Sequence, residues 1–98
     1  MTYYIYMLTN RSRVVLYIGV TNSLEGRLWY HRNTVTNSFV KKYKLDRLVY
    51  YELYHGIRDA IAREKQLKHW RREKKNDLVR SLNPKWDDLG MRMFGARR

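Results

Sequence analysis

Tyr3 to Thr9 (YYIYMLT) is an unbroken run of aromatic, branched and apolar residues, and Val14 to Val20 (VVLYIGV) is a second. Both runs predict strands. The polar loop Asn10-Arg11-Ser12-Arg13 between them is four residues long, which predicts an antiparallel hairpin whose paired positions sum to 23. In that register Tyr6 lies opposite Tyr17, both phenols emerge on one face, and Tyr4 with Gly19 forms the next pair. Gly19, lacking a side chain, is expected to leave room for something to approach the sheet.

Thr21-Asn22-Ser23 is a helix-entry signal, and a helix is predicted from Leu24 to Arg32 with Leu24, Arg27, Leu28 and His31 on one face. Gly26 weakens it by roughly 1 kcal/mol relative to alanine. Asn33 to Val40 is polar and aperiodic and reads as a loop, whereas Leu45 to Tyr54 (LDRLVYYELY) reads as a third strand. Residues 57 to 70 predict a helix, followed by a turn and a second helix over Glu73 to Leu82. On a helical wheel Ile57, Ala60, Ile61 and Leu67 form the apolar stripe, and Glu64 falls inside it. An inward carboxylate is costly unless a cation stands beside it or it lies at the rim of a cleft. Asn83-Pro84 ends the helical region, Trp86 is expected to pack back onto it, and the stretch from Gly90 to Arg98 is expected to fray.

Composition narrows the function. The chain has 98 residues, with 21 Lys+Arg against 9 Asp+Glu, a net charge of +12, and 14% aromatic residues. One domain is the most that such a length can pack. The aromatic content excludes a disordered basic tail. The absence of cysteine excludes disulfides, thiolate metal sites and a cysteine nucleophile. No apolar run approaches the roughly 20 residues of a membrane span, and no secretion signal is visible, so a cytoplasmic protein with no membrane partner is expected. Twelve excess positive charges with many aromatics favour nucleic acid as partner, through phosphate attraction and base stacking, over a merely solvated face. The excess is greatest over residues 57 to 80, where Arg58, Arg63, Lys65, Lys68, Arg71, Arg72, Lys74 and Lys75 are candidate phosphate anchors around the helix that bears Glu64. Trp29 and Trp70 are candidates to stack on bases, with core packing as the alternative.

Taken together, Tyr4-Ile5-Tyr6, Tyr17-Ile18-Gly19, Arg27 and His31 four apart, and Glu64 on a later helix resemble the GIY-YIG nuclease superfamily, and most of all its small stand-alone bacterial, YhbQ-like members. The resemblance spans residues 3 to 89. The first motif departs from the family pattern by lacking its glycine, which contributes no functional group. The resemblance implies an α+β fold, a three-stranded antiparallel sheet flanked by helices. It implies one nuclease domain over residues 1–89, followed by a basic tail over 90–98. It further implies a catalytic set of Tyr6 (general base or water-orienting group), Tyr17, Arg27 on the scissile phosphate, His31 assisting proton transfer, and Glu64 binding one divalent metal, Mg²⁺ or Mn²⁺. A late family asparagine maps to Asn83, with Asn76 as the alternative. A metal-dependent endonuclease follows, acting on DNA rather than RNA with little sequence preference and favouring branched or damaged structures. A homodimer or a protein partner that supplies target choice is a further expectation.

The chemistry of the residues bears on that set independently. Phosphodiester hydrolysis needs an activated water, a counter-charge for the phosphate and help for the departing oxygen. One carboxylate, one arginine, one histidine and two phenols meet those needs when a divalent cation joins them. A free tyrosine has a pKa of about 10, so Tyr6 serves as base only if nearby cations acidify it, and otherwise orients water. For Glu64 an ion pair with Arg27 or Lys68 is the competing expectation. For the whole chain, the competing reading is a nucleic-acid-binding module or accessory subunit that keeps the fold without cleaving.

Overall fold

The computed structural model describes residues 1–33 and 38–95, with the side chains of 31–33 and 38–40 outside the description. Three strands, β1 (Tyr3–Thr9), β2 (Leu16–Thr21) and β3 (Arg47–Tyr54), form one antiparallel sheet in the order β2-β1-β3. Helices α1 (Leu24–Asn33), α2 (Ser38–Tyr43), α3 (Ile57–Lys68), α4 (Arg72–Leu82) and α5 (Leu89–Phe94) flank it. This is the α+β architecture expected from the sequence. The central position of β1 explains its unbroken apolar run: Ile5 to Thr9 are all buried because both faces of the strand are covered.

Alternation along β1 divides the core in two. Ile5 and Met7 join Ile18, Val49, Tyr50, Ala60, Leu67, Val79 and Trp86 under α3 and α4. Tyr6 and Leu8 point the other way and join Leu24, Leu28, Leu45, Leu48 and Leu89 under α1 and α5. Within β3 a bulge lies opposite Met7 and Leu8, and it lets consecutive residues Val49 and Tyr50 enter the same cluster.

The hairpin register differs from the expected one by two residues. Tyr6 pairs with Gly19, Tyr4 with Thr21 and Leu8 with Tyr17. The connection is longer than the four polar residues because side chains organise it: Thr9 Oγ1 donates to the Val15 carbonyl at 2.7 Å, and Asn10 Oδ1 accepts from the Val14 amide at 3.2 Å. Arg13 adopts a left-handed φ of 62°, and Arg72 donates to the carbonyls of Arg13 (2.6 Å) and Val14 (2.7 Å). A slip of two preserves the strand face, so Tyr6 and Tyr17 still share one, as diagonal rather than direct neighbours.

Three further expectations change. The loop expected over Asn33 to Val40 gives way to α2 from Ser38, while residues 34–37 lie outside the described residues. The stretch expected to fray instead forms α5, opened by Asp88, whose side chain accepts from the amides of Gly90 and Met91. Burial of Leu89 and packing of Phe94 against the second cluster hold it; residues 96–98 lie outside the described residues. Along α3 the buried line consists of Ala60 and Leu67, while Ile57 and Ile61 are 40% and 38% exposed. The small Ala60 brings the helix close to the sheet and turns the two isoleucines outward. No helix among the described residues is long and apolar enough to cross a membrane.

Candidate functional site

Tyr6 leaves β1 on the side covered by α1 and α5, and its ring lies across Gly19 of the neighbouring strand. A Cβ at Gly19 would stand 2.6 Å from both Cζ and Oη of Tyr6, closer than any real contact. The space left by the glycine is therefore taken by the tyrosine itself. Only a residue without a side chain lets the phenol lie flat over β2 and carry its hydroxyl toward the sheet's β2 edge.

Tyr17 shares that face, with ring centroids 6.2 Å apart at 46°, and the two phenols are hydrogen-bonded. Burial pushes the Tyr6 phenol well above the ordinary tyrosine value. The Tyr17 dipole and hydrogen bond and the Glu64 carboxylate add to that rise, and Arg27 opposes it. Tyr17 on β2 and Arg27 on α1 are the stronger of those influences, and Glu64 on α3 is the weakest. The acidified tyrosine that a base role requires is not present in this state, because desolvation outweighs the single opposing cation.

Arg27 is positioned by α1. Ser23 Oγ caps that helix by accepting from the Gly26 amide at 3.1 Å, and Leu24 and Leu28 anchor its inner side. The Arg27 guanidinium lies 5.6 Å from the Tyr30 ring centroid and borders an open cavity of about 420 Å³ with Thr21 and Asn22. His31 lies one turn further along α1 in the backbone, and its side chain is outside the described residues.

Glu64 sits on the flank of α3, with its side chain 20% exposed, and pairs with Lys68 at 3.1 Å, the ion pair that the sequence left as an alternative. Lys68 itself is 52% exposed, so the pair is worth a few tenths of a kcal/mol and leaves the carboxylate able to exchange partners. Among the described residues no group of three or more His, Asp and Glu side chains clusters as a metal cage. The chemistry still fits Mg²⁺, which is commonly held by one or two carboxylates and completes its shell with water and phosphate oxygens. Glu64 is the carboxylate that would hold it.

The candidate phosphate anchors divide. Lys68 and Lys75, from two helices, line a cavity of about 320 Å³ together with Tyr17. Arg58, Lys65 and Arg71 are exposed. The other three make contacts with other side chains of the chain. Arg63 forks onto Glu52, with Nε–Oε1 and Nη2–Oε2 both 2.9 Å, and Arg72 clamps the hairpin connection and Asn76. Lys74 lies 4.1 Å from the Trp70 centroid, and Arg63 lies 5.2 Å from it, so cations rather than bases occupy that ring. Trp29 is 55% exposed, and Trp86 is buried in the first cluster as expected.

Asn83 is buried beside β3. Its Nδ2 donates to the carbonyls of Val49 (3.0 Å) and Asp87 (2.8 Å), and its Oδ1 accepts from the Asp87 amide at 3.0 Å. Every hydrogen of that amide is engaged in holding the β3 bulge and the approach to α5, while Asn76 is engaged by Arg72. Sequence reasoning missed Glu52, whose carboxylate accepts from Tyr50, Tyr54 and Arg63. A signal was present: Tyr50, Glu52 and Tyr54 alternate with period two and must share one face of a strand.

Comparison with known proteins gives the family and the fold. Residues 2–77 match the model of the GIY-YIG catalytic domain. The chain is 33% identical over 82 residues to a UPF0213 protein of Clostridium perfringens, covering 84% of this chain and 87% of that one. It is likewise 33% identical over 67 residues to a UPF0213 protein of Bacillus pumilus, 68% of each. The solution NMR structure of a UPF0213 protein from Bacillus halodurans shares the fold, with a TM-score of 0.58 at 23% identity over 93% of this chain and 96% of that one. The motif tyrosines, the glycine beneath them and the family match converge, and the chain belongs to the GIY-YIG family of nuclease catalytic domains, among its small UPF0213 members.

Proposed function

We propose that this protein is a divalent-metal-dependent endonuclease that hydrolyses phosphodiester bonds in nucleic acid. DNA is the favoured substrate, with little sequence preference and a bias toward branched or damaged structures. The observation that carries the reading is the Tyr6 phenol, buried over Gly19 with the Tyr17 ring 6.2 Å away and within the electrostatic reach of Arg27 and, most weakly, Glu64. A protein that only bound nucleic acid would have no need to bury a phenol among those groups.

In this reading Arg27 neutralises the charge that builds on the phosphate as water adds, and the P–O bond to the departing oxygen breaks. The raised Tyr6 phenol keeps its proton at neutral pH, so it holds the attacking water by hydrogen bonding rather than deprotonating it. Tyr17, bonded to Tyr6, fixes that orientation, and His31 is assigned to proton transfer. Glu64 is the carboxylate that would hold a divalent metal, which would supply Lewis acidity there. Lys68 and Lys75, beside Tyr17, anchor the backbone, which explains the expected indifference to sequence.

The test mixes purified protein with supercoiled plasmid and with branched duplexes, in Mg²⁺ or in EDTA. Nicking in Mg²⁺ alone is expected, with Glu64→Ala and Arg27→Ala each slower by about 10²- to 10³-fold. Tight binding without any cleavage by the wild-type chain, across Mg²⁺ and Mn²⁺, would overturn the enzyme reading in favour of a binding module or accessory subunit.

A further inference from the structure

We infer that Glu52 and Arg63, which lie outside the site, are positioning residues that set the rotation of α3 and thereby aim Glu64 at the Tyr6 hydroxyl. The inference rests on the reading of Glu64 as a member of the reacting site. At 100° per residue, Ala60 and Leu67 define the line along which α3 meets the sheet, and both are fully buried. Arg63 lies about 50° to one side of that line and Glu64 about 50° to the other. They are chain neighbours on opposite flanks: Arg63 meets Glu52 on β3, while Glu64 pairs with Lys68, which lines a cavity with Tyr17 and Ile18 of β2. An alanine and a single leucine give the helix little to resist rolling about its axis. The missing resistance comes from Arg63.

The Arg63 guanidinium is fixed on every side. Nε and Nη2 fork onto the Glu52 carboxylate at 2.9 Å each, Nη1 donates to Gln66 Oε1 at 2.8 Å, and the plane lies 5.2 Å from the Trp70 centroid. Glu52 is fixed in turn by the hydroxyls of Tyr50 and Tyr54, on the same face of β3. A forked pair resists rotation in a way that a lysine, a point charge on a flexible stem, does not. The lever is short and effective. Side-chain atoms on a helix stand about 5–6 Å from its axis, so a roll of roughly 20° moves the Glu64 carboxylate by about 2 Å. A misplacement of about 1 Å can cost on the order of 10²-fold in rate.

The variants are Arg63→Lys, which keeps the charge and loses the fork, and Glu52→Gln, which keeps the shape and loses the charge. Three readouts separate positioning from simple stability. The first is a solved structure of Arg63→Lys, with a displacement of the Glu64 carboxylate relative to Tyr6 Oη of about 1 Å or more expected. The second is Mn²⁺ affinity by paramagnetic resonance, with a loss of about 10-fold expected in Arg63→Lys, a smaller loss in Glu52→Gln, and abolition in Glu64→Gln. The third is the nicking rate per folded molecule, well below the melting temperature, expected to fall by about 10-fold while DNA affinity changes less than about 2-fold.

Should Arg63→Lys not fold, Gln66→Ala, which removes one exposed support of the same guanidinium, carries the same structural readout with a smaller shift. An unmoved Glu64 in the folded variants overturns the inference whatever the activity. So does a displaced Glu64 with wild-type Mn²⁺ affinity and rate. A wild-type chain that neither binds Mn²⁺ nor nicks DNA would overturn the function proposed above, and the structural readout would still decide whether Arg63 aims Glu64.

Discussion

The two faces of the sheet are built from the same three strands and differ in what they leave undone. Under α3 and α4 the contacts are apolar, and the polar group that intrudes, Glu52, is satisfied by two phenols and a forked arginine. Under α1 and α5 the strand face carries a buried phenol over a glycine, a second phenol beside it, and a half-buried arginine. One face spends its polar groups on each other. The other gathers groups that act on a single hydroxyl near the sheet edge. The same residue type plays both parts: Tyr50 and Tyr6 are both pushed above the ordinary tyrosine range by burial, but Tyr50 donates a hydrogen bond to the Glu52 carboxylate while Tyr6 is bonded to Tyr17 and feels the Arg27 charge.

The contrast can be broken from either side. On the packing face Trp86→Ala leaves a cavity where the ring was buried in the first cluster, and a loss of about 3–5 kcal/mol in unfolding free energy is expected by urea titration. The nicking rate per folded molecule should hardly change, and a collapse of rate in protein that remains folded would erase the distinction between the faces. On the reacting face Gly19→Ala forces the Tyr6 ring aside. A rate loss on the order of 10²-fold is expected, with a stability cost of about 1–3 kcal/mol. Pairing it with Tyr6→Phe sharpens the comparison, because two changes acting through one hydroxyl should not add.

The smallest effect concerns pH. Burial alone would push the Glu52 carboxyl up, yet the hydrogen bonds from Arg63, Tyr50 and Tyr54 outweigh it and hold the group below the ordinary carboxylate value. Stability from this source is therefore complete above the unfolded carboxylate range and is lost as pH falls below about 4. The acid limb of a melting-temperature profile should be shallower in Glu52→Gln than in wild type, and equal slopes would show that the network contributes nothing there.

Much of this was legible in the chain. The three strands, the break between α3 and α4 and the helix entry at Ser23 follow from local pattern, while the candidate site set around Tyr6 came from the resemblance to the family. The hairpin register was not legible, because its connection is set by Thr9 and Asn10 side chains and by Arg72 from a helix 59 residues away from Arg13. Nor was the outward turn of Ile57 and Ile61, since a wheel groups residues by angle and does not say which part of a stripe the sheet covers. Arg63 and Arg72 looked like phosphate anchors by charge, and the family resemblance pointed to Asn83 as a late site amide. Their partners, on β3 and in the hairpin and α5 connections, are distant in sequence, so no local pattern could reveal that they hold the molecule together.

What the amino-acid order determined alone was which side chains share a face, because strand and helix periods are properties of the backbone and survive even a two-residue slip. What only the folded state decided was how those faces are aimed. Tyr6 reaches the sheet edge because Gly19 is opposite it, and Glu64 pairs with Lys68 while Arg63, its neighbour in the chain, is tied to β3. Periodicity is local, whereas direction depends on contacts between segments that meet only when the chain closes.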